Sequence, residues 1–272
     1  MINSLLKGLS KLTSTSHQIT WDIMLMQFTI VNALIVGEEK EWVLVDTGLE
    51  NSYDYILKSC NERFGKGSRP AAIILTHGHF DHVGSVTMLA KEWDVPVYAH
   101  KLEIPYITGA KDYPEADPNV DEGLVAKMSP AFPNKGINIG YRAVELPPDG
   151  GIPGMPGWRY VHTPGHTEGH VSLFRESDRI LIAGDSFTTT KQESLLSVLT
   201  QREQVKGPPA YFTTDWMLAK KSIKRIEELK PQLALPSHGS PMKGDELTRH
   251  LDMLNRSFDE IAVPEHGRFV DK

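Results

Sequence analysis

The sequence predicts an α/β fold, and two features of it do so. Short apolar runs of strand length, rich in Val and Ile, recur along the chain, and stretches of helical periodicity follow many of them. Several of these runs end in His or Asp, and strand ends are where such folds place their chemistry. With 272 residues, 40% hydrophobic and 24% charged, the chain can bury a full core as one large α/β domain or two small ones.

The first predicted strand spans Ile23 to Val36, dominated by apolar and β-branched residues. Gly37 to Lys40 is a turn, and Trp42 to Val45 is a second strand ending at Asp46-Thr47-Gly48. Asn51 can cap a helix from Ser52 to Arg63, which Gly65 to Pro70 breaks. Ala71 to Leu75 is a compact apolar strand delivering Thr76-His77-Gly78-His79-Phe80-Asp81-His82, and one helix is expected from there to Glu92. Val95 to Ala99 is the next strand. Residues 105–135, with five prolines, read as an irregular surface excursion before strand patterning resumes at Tyr141 to Leu146.

Trp158 to His162, His170 to Phe174 and Arg179 to Ala183 read as three further strands. Helical spacing returns at Asp215 to Leu229, where Lys220, Lys221, Lys224 and Arg225 alternate with Ile223 and Ile226 as a solvated face. Leu233 to Leu235 is a short strand before Ser237-His238-Gly239, and an amphipathic helix is expected from Asp245 to Ile261. Residues 1–20 read as a loosely structured or helical arm and 21–272 as the folded domain, with an aromatic-rich insertion at about 186–230.

Composition also excludes function classes. A formal net charge of -6 and the lack of a basic tract argue against a nucleic-acid partner held through phosphates. No apolar run approaches a membrane span, and no signal-peptide pattern opens the chain, so the expectation is a cytoplasmic protein with a small-molecule substrate. Cys60 is the only cysteine, which leaves no disulfide framework. Oligomeric state is not readable.

Five of the eleven histidines sit with two aspartates in four punctuated segments. His77, His79, Asp81 and His82 fall within six residues after a buried strand, and His166 follows a rigid Thr163-Pro164-Gly165 turn. Asp185 ends one apolar strand and His238 follows another. Singly, each of these would more often cap a helix or meet a backbone group. Together they supply what a two-metal site needs: imidazole and carboxylate donors suited to zinc, with iron or manganese as further choices, and no thiolate. His170, opening a strand, reads as a structural histidine supporting that site.

His77-Gly78-His79-Phe80-Asp81-His82 resembles the HxHxDH signature of the metallo-β-lactamase superfamily. Val45-Asp46-Thr47-Gly48, Pro164-Gly165-His166-Thr167, Gly184-Asp185 and Ser237-His238-Gly239 match its remaining motifs in order. The resemblance implies a four-layer αββα sandwich of two mixed β-sheets flanked by helices. It implies a first metal on His77, His79 and His166, a second on Asp81, His82 and His238, and Asp185 bridging them. Asp46 would orient ligands, and Asp81 would orient a metal-bridging hydroxide and shuttle its proton.

The implied reaction is hydrolysis of an ester, thioester or lactone. The alternative is a mononuclear iron oxygenase of the persulfide dioxygenase type, and behind it a β-lactamase or a non-catalytic binding protein. Substrate choice then falls to loops. Phe187 and Thr188, next to Asp185, are expected on the pocket wall, with Tyr211 and Phe212 as additions.

Overall fold

Backbone pairing in the computed structural model, which describes residues 14–39, 41–121, 123–190 and 205–270, sorts the strands into two sheets. Each sheet belongs to a different compact unit, one made of Met1–Tyr113 with Pro133–Pro156 and the other of Pro114–Phe132 with Gly157–Lys272.

The first unit holds a seven-stranded sheet whose order follows the chain: β1 (Thr15–Gln18), β2 (Ile23–Gln27), β3 (Asn32–Glu38), β4 (Glu41–Val45), β5 (Ala72–Ile74), β6 (Val97–Ala99) and β7 (Ala143–Glu145). β1 to β4 form an antiparallel meander, and β4 to β7 run parallel. Parallel neighbours need crossovers. The helix Tyr53–Phe64 connects β4 to β5, and the helices Phe80–Val83 and Val86–Trp93 connect β5 to β6. Val45 lies opposite Ile74 in register, so Asp46 and the Thr76-His77 segment leave the sheet at the same end. Trp42 anchors the core of this unit, stacked on Phe64 at 4.8 Å and edge-on to Trp93 at 5.7 Å.

Four sequence expectations are corrected here. The run Ile23 to Val36 is a hairpin, because Phe28 N–H donates to Val31 O and β2 pairs antiparallel with β3. Thr15–Gln18, expected in an irregular or helical arm, is a strand that finds its backbone partners on β2; residues 1–13 lie outside the described residues. The helix after His82 breaks at Gly84 and Ser85. A Cβ on Gly84 would fall onto the backbone of Leu49 and Glu50, and Gly84 N–H donates to Gly48 O at 2.9 Å. Within 105–135 the chain makes short helical turns at Ile104–Ile107 and Leu124–Met128.

The second unit holds a five-stranded sheet of β8 (Trp158–His162), β9 (Val171–Arg175), β10 (Ile180–Gly184), β11 (Leu233–Pro236) and β12 (Met242–Lys243), with β12 on one edge and β8 on the other. β8, β9 and β10 alternate in direction, and β11 runs parallel to β10. The chain therefore leaves β8, β10 and β11 at the same end of the strands, and those exits lead to His166, Asp185 and His238. The helix Trp216–Glu228 carries the crossover to β11; Ile223 and Ile226 are fully buried while the four basic residues face out. The expected last helix is two, Gly244–Arg256 and Phe258–Ile261, interrupted at Ser257, and two-residue β12 carries no sequence periodicity to reveal it. Phe174, Phe187 and Phe258 fill the core with Leu247, Leu251 and Leu254.

Among the described residues no helix is long and apolar enough to cross a membrane. Cys60 is buried, and loss of hydration pushes its thiol up to about 12, which removes it from nucleophilic chemistry at neutral pH.

Candidate metal centre

The two units each gather a cluster of histidine and aspartate. In the first, Asp46 is the organiser. Its backbone takes a left-handed conformation (φ +57°), which a non-glycine residue holds only when its surroundings over-determine it. Here they do. One carboxylate oxygen accepts from Thr76 N–H at 2.9 Å, and the other accepts from the Thr76 hydroxyl at 2.8 Å and from His82 Nδ1 at 2.9 Å. The adjacent Thr47 donates from its backbone and its hydroxyl to His82 O, tying the same loop to the helix that carries Asp81 and His82.

These bonds assign tautomers. A carboxylate only accepts, so His82 carries its proton on Nδ1 and keeps the Nε2 lone pair. The single Thr76 hydrogen is spent on Asp46, so that hydroxyl accepts from His77 Nδ1–H at 3.1 Å and His77 also keeps its Nε2 lone pair. His77 Nε2 then lies 3.0 Å from His79 Nδ1, and His82 Nε2 lies 3.9 Å from Asp81 Oδ1. His77, His79, Asp81 and His82 are all buried.

The loop between His77 and His79 is held from behind. Gly78 N–H donates to Glu103 Oε2 and to the Tyr113 hydroxyl, each at 3.0 Å, and Tyr113 O–H donates to Glu103. Burial, with the Glu103 carboxylate second, pushes the Tyr113 phenol well above its usual range and keeps it a neutral donor. The Tyr113 ring stacks on Tyr106 at 3.9 Å and meets the His79 imidazole at 4.4 Å.

In the second unit Asp185 Oδ2 lies 3.3 Å from His166 Nε2 and 3.2 Å from His238 Nε2. The Thr213 hydroxyl donates to Pro209 O at 2.9 Å and so faces His166 Nδ1, at 3.2 Å, as an acceptor. That puts the His166 proton on Nδ1 and aims the Nε2 lone pair at the Asp185 carboxylate. Two acceptors face each other there, an arrangement that a cation between them resolves. His170 makes no such offer: its Nε2 accepts Asp185 N–H at 2.8 Å and its Nδ1 donates to Thr163 O at 3.1 Å, fixing the backbone from which Asp185 projects.

The expected pocket wall divides. Phe187 is corrected to a core residue, fully buried in the apolar cluster of its unit. Thr188 lines a cavity of about 590 Å³ together with Lys206, Ala210 and His266. Tyr211 and Phe212 are buried, packed edge-on to each other at 5.1 Å and on Phe132. Part of the expected insertion, residues 191–204, lies outside the described residues. Sequence reasoning missed Thr76, Thr213, Glu103 and Tyr113 as supports; only Thr76, adjacent to His77, carried a positional signal.

Comparisons with known proteins show the family. The model of the Metallo-beta-lactamase superfamily matches residues 26–238. The chain is 46% identical over 225 residues to "Probable metallo-hydrolase YflN" of Bacillus subtilis (strain 168), covering 83% of this chain and 85% of that one. Among solved structures it is similar to ST1585 from Sulfolobus tokodaii, an archaeal metallo-beta-lactamase superfamily protein, with TM-score 0.56 and 21% identity over 83% and 80% of the two chains. It is also similar to TTHA1623 in a di-iron-bound form, with TM-score 0.54 and 26% identity over 83% and 92%. The two mixed sheets with their helices are the α/β fold that the motifs implied, and the chain belongs to the metallo-β-lactamase superfamily.

Proposed function

We propose that the chain is a binuclear metal-dependent hydrolase of a small-molecule ester, thioester or lactone. His77, His79 and His166 would hold one ion, Asp81, His82 and His238 the other, and Asp185 both. The observation that carries this reading is the set of tautomers: His77, His82 and His166 each turn Nδ1–H to a bonded acceptor and reserve Nε2 as a donor atom. Imidazoles and carboxylates without thiolate suit zinc first, and iron or manganese as well. The 46%-identical relative named a probable metallo-hydrolase supports hydrolysis, and the di-iron form of TTHA1623 supports a two-metal site.

Two bound dications would supply Lewis acidity and a water acidic enough to be a nucleophile at neutral pH. The chain's own residues do the rest. Asp46 and Thr76 fix His77 and His82 in orientation, Thr213 fixes His166, and His170 fixes the Asp185 backbone. Asp81 takes the nucleophile's proton and returns it to the departing alkoxide or thiolate, so that ester and water become acid and alcohol or thiol.

The test is metal analysis of protein purified without added metal, followed by ester, thioester, lactone and β-lactam substrates assayed with defined metals. Close to two ions per chain and turnover of an acyl substrate would support the proposal. One iron per chain with oxygen uptake would replace it by the oxygenase alternative. Asp81→Asn should lower kcat by about 10²-fold, with metal content measured on the same sample; unchanged kcat with full metal would remove Asp81 from the chemistry.

A further inference from the structure

We infer that Glu103 and Tyr113 are positioning residues for the His77–His79 ligand pair, acting through the backbone amide of Gly78. This rests on the two-metal reading above and goes beyond it, because neither residue belongs to the motifs that define the ligand set.

The geometry is specific. Gly78 is the spacer between two ligands, and its N–H is gripped by a buried carboxylate and a buried phenol at 3.0 Å each. The three groups close a triangle, since Tyr113 O–H itself donates to Glu103 Oε2. A peptide plane held at both acceptors cannot rotate, and rotation of that plane is the motion that would swing His77 and His79 apart. The grip also explains the glycine. A Cβ at position 78 would lie 2.6 Å from the Tyr113 oxygen and 3.3 Å from Ile107 Cγ2, so any side chain would push the hydroxyl off the amide.

Tyr113 acts twice. Its oxygen fixes the Gly78 backbone, and its ring, backed by Tyr106, limits the tilt of the His79 imidazole from 4.4 Å away. Glu103 is fully buried, and its backbone N–H donates to His100 O at 2.7 Å in the turn after β6. The carboxylate is therefore anchored to the sheet that carries the ligand loop.

A merely structural role would lower stability and leave metal affinity alone; a positioning role does the reverse. The measurement is competition for zinc between the full-length protein and a chromophoric chelator, resolved into the two binding steps, with the melting temperature of the metal-free protein recorded on each variant. Tyr113→Phe keeps the ring and loses the hydroxyl. Glu103→Met removes the acceptors. Glu103→Gln keeps one. Tyr113→Phe and Glu103→Met should weaken one of the two zinc steps by roughly 10- to 100-fold and leave the other within about threefold, the range seen when outer partners of ligands are lost. Glu103→Gln should restore affinity to within about threefold of the wild type. If Glu103→Met does not fold, Tyr113→Phe carries the test. Wild-type affinity in both steps for Tyr113→Phe would overturn the positioning role, as would an equal loss in both steps. A wild-type protein that binds no zinc, iron or manganese would overturn the two-metal reading itself and this inference with it, a result distinct from either of those.

Discussion

The two ligand clusters are built on opposite plans. In the first unit four candidate donors stand within six residues, and one aspartate with one threonine orients two of the imidazoles. In the second unit each candidate donor comes from a different strand exit, and two of the three have separate supports: Thr213 for His166, His170 for the Asp185 backbone. The donors of the first cluster are local in sequence, and one shared carboxylate, Asp46, orders the loop that carries them. The second depends on strand direction, because β8, β10 and β11 must end on the same side of the sheet before His166, Asp185 and His238 can meet. A carboxylate at the centre of each cluster performs a different task. Asp46 accepts from Thr76 and His82, whereas Asp185 Oδ2 lies between the Nε2 atoms of His166 and His238.

That contrast breaks first at Asp185. Asp185→Ala should strip most of the metal from both positions, because two dications at short range repel strongly without a shared anion. His170→Ala removes only a bond to the Asp185 backbone and should leave stoichiometry nearly unchanged. Metal content of the two purified variants checks this, and the assignment reverses if His170→Ala loses the metal while Asp185→Ala keeps it.

Phe187 is the next largest effect, and it lives in packing rather than chemistry. Its ring is fully buried beside Phe174, Phe258 and the helix Trp216–Glu228. Phe187→Ala should cost roughly 3–5 kcal/mol of unfolding free energy. Denaturant unfolding of the metal-free protein measures it. A loss below about 1 kcal/mol accompanied by a changed substrate ranking would return Phe187 to the pocket wall.

The candidate metal donors were legible in the sequence because strand, turn and donor residue follow one another there. What was not legible depends on chain segments meeting. Thr213 reaches His166 from 47 positions away, and only the fold of the loop before Asp215 brings it there. Tyr113 lies in the proline-rich stretch that reads as irregular, and its bond to Gly78 needs that stretch to return to the ligand loop. The β2–β3 hairpin was hidden for a local reason: Phe28 to Val31 turns without glycine or proline inside an apolar, β-branched run. Phe187 was misplaced because nearness to a ligand in sequence says nothing about the face on which a ring points.

A matched pair of threonines sharpens the comparison between the units. Thr76→Val removes a donor to Asp46 and an acceptor for His77, and Asp46 in turn holds His82. Thr213→Val removes one acceptor from one histidine. Outer partners of ligands typically contribute 10- to 100-fold to metal affinity. Thr76→Val should fall near the upper end of that range, about 100-fold, and Thr213→Val near about 10-fold. Zinc competition titrations read both, and equal losses would erase the difference between a shared support and a single one.

The smallest effect concerns how the His166 turn is pinned. Gly165 O accepts from Thr214 N–H at 3.1 Å and from Asp215 N–H at 3.0 Å, and a Cβ on Gly165 would run into the Ala219 backbone. The N-terminus of the helix Trp216–Glu228 therefore presses directly on the turn that presents His166. Asp215 caps that helix by accepting from Leu218 N–H at 2.8 Å. Losing such a cap costs about 1 kcal/mol, which for a chain of this size lowers Tm by roughly 2–4 °C. Asp215→Ala should show that drop, and Asp215→Asn, which keeps an acceptor, should recover most of it. Because Thr214 and Asp215 bond Gly165 through their backbones, the turn should survive and zinc affinity should stay within about threefold. A tenfold weaker zinc step in Asp215→Ala, absent from Asp215→Asn, would show instead that the ligand turn depends on the cap, and that the second cluster is held by its helix as much as by its sheet.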